Sequence, residues 1–579
     1  MLDTGGQYTH LIARRVRELG VYADVQPSDT PAAALKSRKG IIISGGPASV
    51  YEPGCPDIDP GILNIDTAVL GICYGHQLIA RHLGGNVRQG ERGEFGIAHL
   101  TVTAPDPLWN GVEHSQVWMS HRDTVQAAPN GFKVIASTDT SGIAAMSSSD
   151  RKVFGLQFHP EVAHTHAGTR ILENFVFDIC EAVKDWDISQ RLPLIEEQIR
   201  ATVKDRNVFF FVSGGVDSTV AYTLCLRALG ADRVYGIYVD TGLMRKNETD
   251  FVRNAFKELG ATHFLVDDAQ QEFLAAFDGI HDPEQKRLAI GEQFVKVQER
   301  ILATEHFLSG NWILGQGTIY PDTIESGGTA KADLIKTHHN RVAGIQALID
   351  GGQIIEPLTA FYKDEVREIG REIGVPSRFL SRHPFPGPGL AIRCLCSEVQ
   401  APLGSTNDGF LLPLRSVGVQ GDSRSYRNAL ALPEKPSLLA IQKIAPELTN
   451  RRSDINRVVA LCGAKRPVSE MQVFPASLNK SRLDTLRDAD AIVRQFCIDI
   501  GFEERVWQFP VVLLPLGIED ARESVVLRPI NSVDGMTADV VLMTTEHLDR
   551  LVNQLMALKP IAAVFYDLTN KPPGTIEWE

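Results

Sequence analysis

The sequence lacks the features of several specialised classes of protein. No run of five or more basic residues occurs, and 71 acidic against 58 basic residues give a net charge of −13. This balance argues against a broad surface for nucleic acid or anionic membrane and favours small-molecule substrates. The longest apolar stretch, residues 509–518, contains two prolines and is far shorter than the roughly 20 residues that span a bilayer. We therefore predict no nucleic-acid partner and no membrane insertion.

Cysteine is also scarce, with eight residues scattered over the chain. The only close pair, Cys394 and Cys396, has one residue between its members, unlike the spacing of a zinc knuckle. Thin, irregular cysteine usage indicates a reducing compartment. We predict a cytoplasmic protein.

The chain has 579 residues, which is enough for roughly four domains of ordinary size. Apolar residues make up 43% of it, the proportion of a protein that buries sizeable cores. Short apolar runs alternate with amphipathic helical stretches over residues 1–183 and again over 184–395. This alternation predicts two doubly wound α/β domains with mostly parallel sheets. Only two residues precede the turn-like Asp-Thr-Gly-Gly at the beginning, so an expected first strand looks clipped.

The region after residue 395 contains an internal sequence repeat. LLPL at 411–414 recurs at 513–516, and residues 455–467 align without gaps to 561–573. Two patterns at nearly one offset predict a duplicated α+β module of about a hundred residues. We place the two copies at 396–479 and 480–579. The proline-rich segment RHPFPGPGLAIR, 382–393, is predicted to be a loop that acts as a hinge or binds a ligand.

Cys73 stands between an apolar strand and a helical run, with Gly71 and Gly75 on either side. This arrangement is typical of a nucleophile elbow, in which the helix N-terminus favours the thiolate. A buried structural cysteine is the alternative for a lone motif of this kind. Far downstream, FGLQFHPEV offers His159 and Glu161 on one face of a strand. A thiol, an imidazole and a carboxylate supply the three groups of covalent acyl transfer.

The segments GICYGHQ and HPE resemble the signatures of the class I glutamine amidotransferases. The resemblance implies that Cys73 attacks the carboxamide of glutamine, that His159 carries protons and that Glu161 orients the imidazole. It also implies an oxyanion hole from the SGGP turn, 44–47, and the backbone after Cys73, which designates Gly46 and Tyr74. His10, His76 and His82 have no paired spacing and are interpreted as packing or solvent-facing residues.

A second glycine turn, SGGVDS, lies between a predicted strand and a predicted helix. Its backbone N–H groups and the helix dipole would form a nest for an anion, although an ordinary turn is the alternative. The lysine of a Walker loop is missing. The motif resembles the loop of ATP pyrophosphatases, which implies an adenine-nucleotide α-hydrolase-like domain, ATP as cosubstrate and Mg²⁺ held by Asp217. The implied nucleotide-binding residues are Ser213, Gly214, Gly215, Val216, Asp217 and Ser218.

Further segments, among them GQGTIYPDTIES, IKTHHN and KPPGTIEWE, resemble the GMP synthetases over essentially the whole chain. The duplicated module looks like that of the eukaryotic-type members. The resemblance implies the substrates glutamine, ATP and XMP, with AMP and pyrophosphate as products, and a lid lysine at Lys336. The XMP contacts that it implies are Arg287, Asp422, Gln508, Lys571 and Glu577.

Two other functions compete with this interpretation. One is an amidotransferase-linked synthetase that amidates nicotinate dinucleotide, and the other is a nucleotide-sensing scaffold with a decayed glutaminase. The terminal IEWE and KPPG segments oppose the first, and the intact Cys73, His159 and Glu161 oppose the second.

The duplication also bears on assembly. Because both module copies lie on one chain, a two-fold contact can close internally. The apolar strands FLLPL and VVLLPL are then expected to cover each other as neighbours. We predict a monomer with an internal pseudo-dimer, with a homodimer as the alternative.

Overall fold

The computed structural model describes residues 1–6, 8–113, 115–325, 343–380, 382, 385–420, 423–433, 438–532 and 537–579. The chain divides into two compact units, Met1–Arg191 and Leu192–Glu579. The first limit lies a few residues after the predicted one, and the predicted boundaries at 395 and 479 fall inside the second unit. Among the described residues no helix has the length and apolar character needed to cross a membrane.

The first unit is built on one twisted sheet. Its strands are β1 Leu2–Asp3, β2 Gln26–Pro27, β3 Gly40–Ile43, β4 Ala68–Ile72, β5 Asn86–Val102, β6 Ser115–Ala127, β7 Lys133–Ser137, β8 Ala145–Ser148 and β9 Val153–Leu156. Its helices are α1 Thr9–Glu18, α2 Ala32–Leu35, α3 Tyr74–His82 and α4 Gly168–Glu173, and α5 Ile188–Val203 continues into the second unit.

The strand order of this sheet is β2-β1-β3-β4-β9-β8-β7-β5-β6. The pairs from β2 to β9 are parallel, whereas those from β9 to β6 are antiparallel. All five residues of β4 are buried, as expected for a central parallel strand that is covered on both faces. The carboxyl ends of β3, β4 and β9 therefore meet at one edge, where the three predicted glutaminase motifs follow.

The second unit begins with a parallel α/β sheet. Its strands are β10 Asn207–Phe211, β11 Val234–Asp240, β12 His263–Asp268, β13 Trp312–Gly315 and β14 Ile354–Ile355. The helices of this part are α6 Val216–Leu229, α7 Glu248–Glu258, α8 Gln270–Ala275, α9 Pro283–Thr304, α10 Tyr320–Glu325, α11 Ala343–Asp350, α12 Lys363–Glu372 and α13 Ser377–Leu380. The order β12-β11-β10-β13-β14 reverses direction at β10, which creates the crevice where such sheets bind ligands.

The remainder of the second unit holds the duplicated region. Its strands are β15 Ala401–Pro402, β16 Gly404–Thr406, β17 Gly409–Gln420, β18 Ser423–Leu432, β19 Ile455–Ala464, β20 Gln472–Val473, β21 Val511–Leu514, β22 Leu516–Gly517, β23 Glu523–Leu527, β24 Ile530–Asn531, β25 Asp539–Val540 and β26 Ile561–Asp567. Its helices are α14 Leu438–Arg451, α15 Lys480–Asp499 and α16 Thr545–Met556.

The topology of this region repeats. The segments β17-β18-α14-β19 and β21-β23-α16-β26 have the same element order, and their strands join one sheet in the order β16-β17-β18-β19-β26-β23-β21. The central strands β19 and β26 are antiparallel, so the arrangement is nearly palindromic. The predicted duplication is visible as two similar halves of one sheet.

The sequence predicts that FLLPL and VVLLPL cover each other. They do not pair as strands, because β17 and β21 lie near opposite ends of the sheet, but Leu412, Leu414, Val512 and Leu514 belong to the same buried core. Each half places its first strand on the outside and its last strand in the centre, so the halves meet through β19 and β26. Local apolar patterns identify strands, but they do not specify which edges pair.

The last residues of the chain are fixed by a buried ion cluster. Asp567 Oδ2 lies 3.0 Å from Arg457 Nη1 and 2.9 Å from Arg528 Nη1, and it accepts a hydrogen bond from Trp578 Nε1 at 2.9 Å. Burial raises the pKa of Asp567, but the two guanidinium groups outweigh burial and lower it. Both arginines also donate to main-chain oxygens between residues 575 and 577. The cluster therefore holds the KPPGTIEWE segment against the sheet.

Candidate active sites

The turn between β4 and α3 has the strained geometry of a nucleophile elbow. Cys73 has φ 52° and ψ −102°, a left-handed backbone that costs free energy for a residue with a side chain. A Cβ added at Gly71 would lie 2.5 Å from the carbonyl of Gly75, and one at Gly75 would lie 2.4 Å from Ile43 O. Both glycines are thus required by close packing at the turn.

The structure brings the three predicted catalytic residues together. His159 Nδ1 lies 2.7 Å from Glu161 Oε1. A Cβ added at Gly45 would lie 3.2 Å from His159 Cε1 and 3.6 Å from Cys73 Cβ, so the thiol and the imidazole face the same glycine. All three residues are buried.

Glu161 controls the protonation of this histidine. Burial lowers the pKa of His159, but the charge and hydrogen bond of Glu161, together with the neighbouring Cys73, outweigh it and raise the pKa to about 10. The imidazolium is therefore the favoured form at neutral pH, which makes the ring a suitable holder for the thiol proton.

The predicted oxyanion residues lie beside Cys73. A Cβ added at Gly46 would come 3.4 Å from Tyr74 Cδ1, so the SGGP turn packs directly on the residue after Cys73. The Tyr74 hydroxyl donates to Pro56 O at 2.6 Å, which directs the side chain away from the turn. Because Tyr74 begins α3, its N–H has no partner within the helix, and such N–H groups at a helix N-terminus can bind an anion.

Two buried glutamines near Cys73 are not among the predicted site residues. Gln157 Nε2 lies 3.7 Å from Cys73 Sγ, and Gln77 Nε2 lies 3.3 Å from Gln157 Oε1. Gln157 stands two residues before His159 and therefore lies on the same side of an extended segment. This spacing could have identified Gln157 from the sequence as a neighbour of the site.

The histidines that the sequence analysis interprets as packing or solvent-facing residues are not placed like ligands. His76 is fully buried, and burial lowers its pKa to about 3, so it is a neutral packing residue. His82 Nε2 lies 2.6 Å from Asp57 Oδ1. Within the described ranges no group of three or more metal-ligating side chains converges.

In the second unit, SGGVDS forms the turn between β10 and α6. Gly214 has φ +73°, and Gly215 caps the helix with an extended backbone. Ser213 Oγ accepts from Gly215 N at 3.2 Å and lies 3.2 Å from Ser218 Oγ. The predicted nucleotide-binding residues that begin the helix, Val216, Asp217 and Ser218, therefore present its first N–H groups at the switch point of the parallel sheet.

Lys363, a further residue that the sequence did not single out, contacts this turn. Lys363 is the first residue of α12, and its ammonium group forms an ion pair with Asp217 Oδ2. The other carboxylate oxygen, Asp217 Oδ1, is buried without a hydrogen-bond partner among the described residues. On the other side, Arg382 Nη1 donates to Gly214 O at 2.9 Å and pairs with Glu248. Two cations thus border the anion nest, although each is more than a hundred residues away in sequence.

The GQGT segment, residues 315–318, approaches the SGGVDS turn closely because Gly317 has no side chain. A Cβ added at Gly317 would lie 2.7 Å from Ser218 N. The segment after β13 therefore lies on the first turn of α6, beside the predicted nucleotide-binding residues.

Two of the predicted XMP residues lie on or against the terminal segment. Arg287 Nη2 donates to Glu579 O at 2.5 Å, and Arg393 binds both carboxylate oxygens of Glu577 at 2.9 and 2.7 Å. Lys286, next to Arg287, also reaches Glu579 at 2.5 Å. The α9 N-terminus and the end of RHPFPGPGLAIR thus converge on the IEWE tail.

The other predicted XMP residues are placed less directly. Gln508 is buried, its backbone pairs with Ile530, and its Oε1 has no partner among the described residues. Lys571 pairs through its backbone with Ala538 at 2.8 and 3.1 Å. Lys336 and Asp422 lie outside the described residues, so their predicted roles stay predictions.

Comparisons with known proteins agree along the chain. Residues 1–179 match the family Glutamine amidotransferase class-I, residues 188–310 match NAD synthase, and residues 497–578 match the GMP synthase C terminal domain. A protein of Leptospira interrogans named "Probable GMP synthase (glutamine-hydrolyzing)" is 43% identical over 100% of this chain and 99% of its own length. GMP synthase (glutamine-hydrolyzing) of Caldicellulosiruptor saccharolyticus is 38% identical with the same coverage.

Among solved structures, a protein from Thermoplasma acidophilum described as a "putative gmp synthase subunit a protein" is 34% identical over 31% of this chain and 92% of its own length, with a TM-score of 0.28. The specific likeness of the duplicated region to eukaryotic-type members stays a prediction.

Proposed function

The chain belongs to the family of glutamine-hydrolysing GMP synthases, and from this premise we propose how its residues divide the reaction. The first unit releases ammonia from glutamine, and the second unit uses ATP to adenylate XMP, which ammonia then converts to GMP. The observation that carries this division is the pair of separate sites: a Cys73–His159–Glu161 group in one unit and a phosphate nest at Ser213–Ser218 in the other.

In the proposed glutaminase reaction, Cys73 loses its proton to His159 and its sulfur attacks the carboxamide carbon. The N–H groups of Gly46 and Tyr74 stabilise the oxyanion, and the carbon–nitrogen bond breaks as His159 returns a proton to the leaving ammonia. Water then attacks the thioester, with His159 as base, and glutamate leaves. Glu161 keeps the ring oriented and favours its charged form.

The role of Glu161 can be tested with Glu161→Gln. Without the carboxylate charge, burial lowers the pKa of His159, so the imidazolium that protonates ammonia is lost at lower pH than in the unchanged protein. We expect glutamine hydrolysis at pH 7 to fall about 10²-fold, with the alkaline limb of the kcat/KM profile shifted towards acid.

Glu173→Gln is a matched control, because Glu173 is a surface residue that pairs with Arg170 in the same unit. It should leave the pH profile unchanged. An unaltered profile in Glu161→Gln would refute the proposed effect of Glu161 on His159.

In the synthetase reaction we propose that the first N–H groups of α6 hold the pyrophosphate part of ATP, while Lys363 and Arg382 supply positive charge. Asp217 Oδ1 is buried without a partner among the described residues, which suits a Mg²⁺ site made of one carboxylate and substrate phosphates. Mg²⁺, when bound, neutralises phosphate charge. Without a Walker lysine, cleavage between the α- and β-phosphates, giving AMP and pyrophosphate, is the expected chemistry.

For XMP we propose Arg287 and Lys571 as phosphate ligands, and Asp422, Gln508 and Glu577 as partners of ribose and purine. Support comes from Arg287, which donates to the terminal segment that carries Glu577, and from Gln508 Oε1, which is buried without a partner among the described residues. Lys336 is proposed to reach the ATP phosphates from a lid.

We propose that the chain acts as a monomer in the cytoplasm, without a nucleic-acid partner. The β19–β26 pairing already joins the two similar halves inside one polypeptide, so no second chain is needed for that contact. Light scattering coupled to size exclusion should give a mass near 63.6 kDa at every concentration. A constant mass of about twice that value would support the homodimer instead.

The overall function is tested by following the absorbance change from XMP to GMP with glutamine and MgATP. Formation of GMP supports the proposal. Amidation of nicotinate dinucleotide without GMP would favour the other synthetase, and nucleotide binding without turnover would favour a sensing scaffold.

A further inference from the structure

A row of hydrogen bonds leads from a main-chain carbonyl to the sulfur of Cys73 through two buried amides. Gln77 Nε2 donates to Asp123 O at 2.8 Å and to Gln157 Oε1 at 3.3 Å. Gln157 Nε2 then lies 3.7 Å from Cys73 Sγ, within reach of an N–H···S hydrogen bond. Gln157 is fully buried and Gln77 nearly so.

The carbonyl at the start of this row determines which way both amides point. Asp123 O can only accept, so Gln77 must turn its NH₂ group towards it. The same NH₂ group needs an acceptor in Gln157, which therefore turns its oxygen to Gln77 and its NH₂ group to the sulfur. The opposite orientation of Gln157 would place two donors against each other.

A second neighbour of the sulfur cannot replace this donor. Cys73 Sγ lies 3.7 Å from Ser120 O, a carbonyl that can accept from the thiol but repels a thiolate. Once the thiol proton is on His159, the Gln157 N–H favours the anionic sulfur, because hydrogen bonds to charged groups are the stronger ones.

We propose that Gln157 is a catalytic residue that donates an N–H to the Cys73 thiolate, and that Gln77 is a positioning residue that keeps this N–H facing the sulfur. The proposal rests on the proposed role of Cys73 as nucleophile. When the sulfur electron pair forms the bond to the carboxamide carbon, the N–H loses its anionic partner. It regains that partner when water adds to the thioester carbon and the carbon–sulfur bond breaks.

The test measures the reactivity of the Cys73 thiolate in the absence of glutamine. The full chain is treated with iodoacetamide from pH 5 to 10, and carbamidomethylation of the Cys73 peptide is followed by mass spectrometry. In Gln157→Met we expect alkylation at pH 7 to be about 10-fold slower and the profile to move about one unit towards alkaline pH. Gln157→Glu should move it further, since a carboxylate repels the thiolate.

Gln77→Met should move the profile in the same direction by less, because the Gln157 amide is then free to turn. Gln116→Met is the matched control, since Gln116 lies on β6 in the same unit and donates to His164 O at 3.0 Å. It should leave the profile unchanged. A purely structural role for Gln157 predicts lower melting temperatures with the same alkylation profile.

Two failures can be told apart. If alkylation of Cys73 in the unchanged protein does not track the loss of glutaminase activity, the role of Cys73 is contradicted. If it does track, but Gln157→Met and Gln157→Glu keep the original profile, the proposal for Gln157 is overturned. Should either Gln157 variant lack the melting transition of the unchanged protein, Gln77→Met decides by the same criterion.

Discussion

Replacement of Cys73 with alanine is expected to lower glutamine-dependent GMP formation by at least about 10⁴-fold, because no other group can form the thioester. Synthesis from added ammonium salts should stay within about twofold of the unchanged protein, since the second unit needs only ammonia. Steady-state rates with each nitrogen source, measured on the same preparation, give both values.

Cys55→Ala is the matched control for this substitution. Cys55 is a free, half-buried cysteine of the same unit, whose thiol donates to Val50 O at 3.5 Å. It should retain both activities. Equal loss of glutamine- and ammonia-driven synthesis in a folded Cys73→Ala protein would refute the separation of the two half-reactions.

Asp217→Asn should depress both glutamine- and ammonia-driven synthesis by about 10²- to 10³-fold. The substitution removes the carboxylate charge that pairs with Lys363, and the amide oxygen that remains is a weaker ligand for Mg²⁺ than the buried Oδ1 of a carboxylate. Because the defect lies in the use of ATP, the chemical steps of glutamine hydrolysis at Cys73 should be unaffected. Rates with each nitrogen source and the requirement for Mg²⁺ are the measurements.

The control is Asp232→Asn, at an exposed aspartate that follows α6. It should leave synthesis and its Mg²⁺ requirement unchanged. If Asp217→Asn retained ammonia-driven synthesis at the original rate and Mg²⁺ requirement, the proposed role of Asp217 would be untenable.

The sequence predicted the parts of the sites that are contiguous in the chain. The β4–Cys73–α3 turn and the β10–SGGVDS–α6 turn are strand, glycine and helix in order, so local rules suffice. The internal repeat was likewise readable, because both copies keep one order of strands and helix. Such features need no knowledge of distant contacts.

Contacts between distant segments could not be predicted in this way. Lys363 lies 146 residues after Asp217, and no periodicity links the two. The positions of β17 and β21 could not be predicted for the same reason, because their apolar patterns fit either a neighbouring or a remote place in the sheet. The pairing of Glu577 with Arg393 likewise depends on how the terminal segment crosses the sheet.

The central claim is that one chain moves the amide nitrogen of glutamine to XMP at the cost of AMP and pyrophosphate formation. Glutamine labelled with ¹⁵N at the amide, supplied with XMP and MgATP, tests this most directly by mass spectrometry of GMP and ³¹P NMR of the phosphates. We predict ¹⁵N in the amino group of GMP, with one AMP and one pyrophosphate for each GMP. Labelled ammonium without labelled GMP, or ADP and phosphate as the stoichiometric products, would contradict the account.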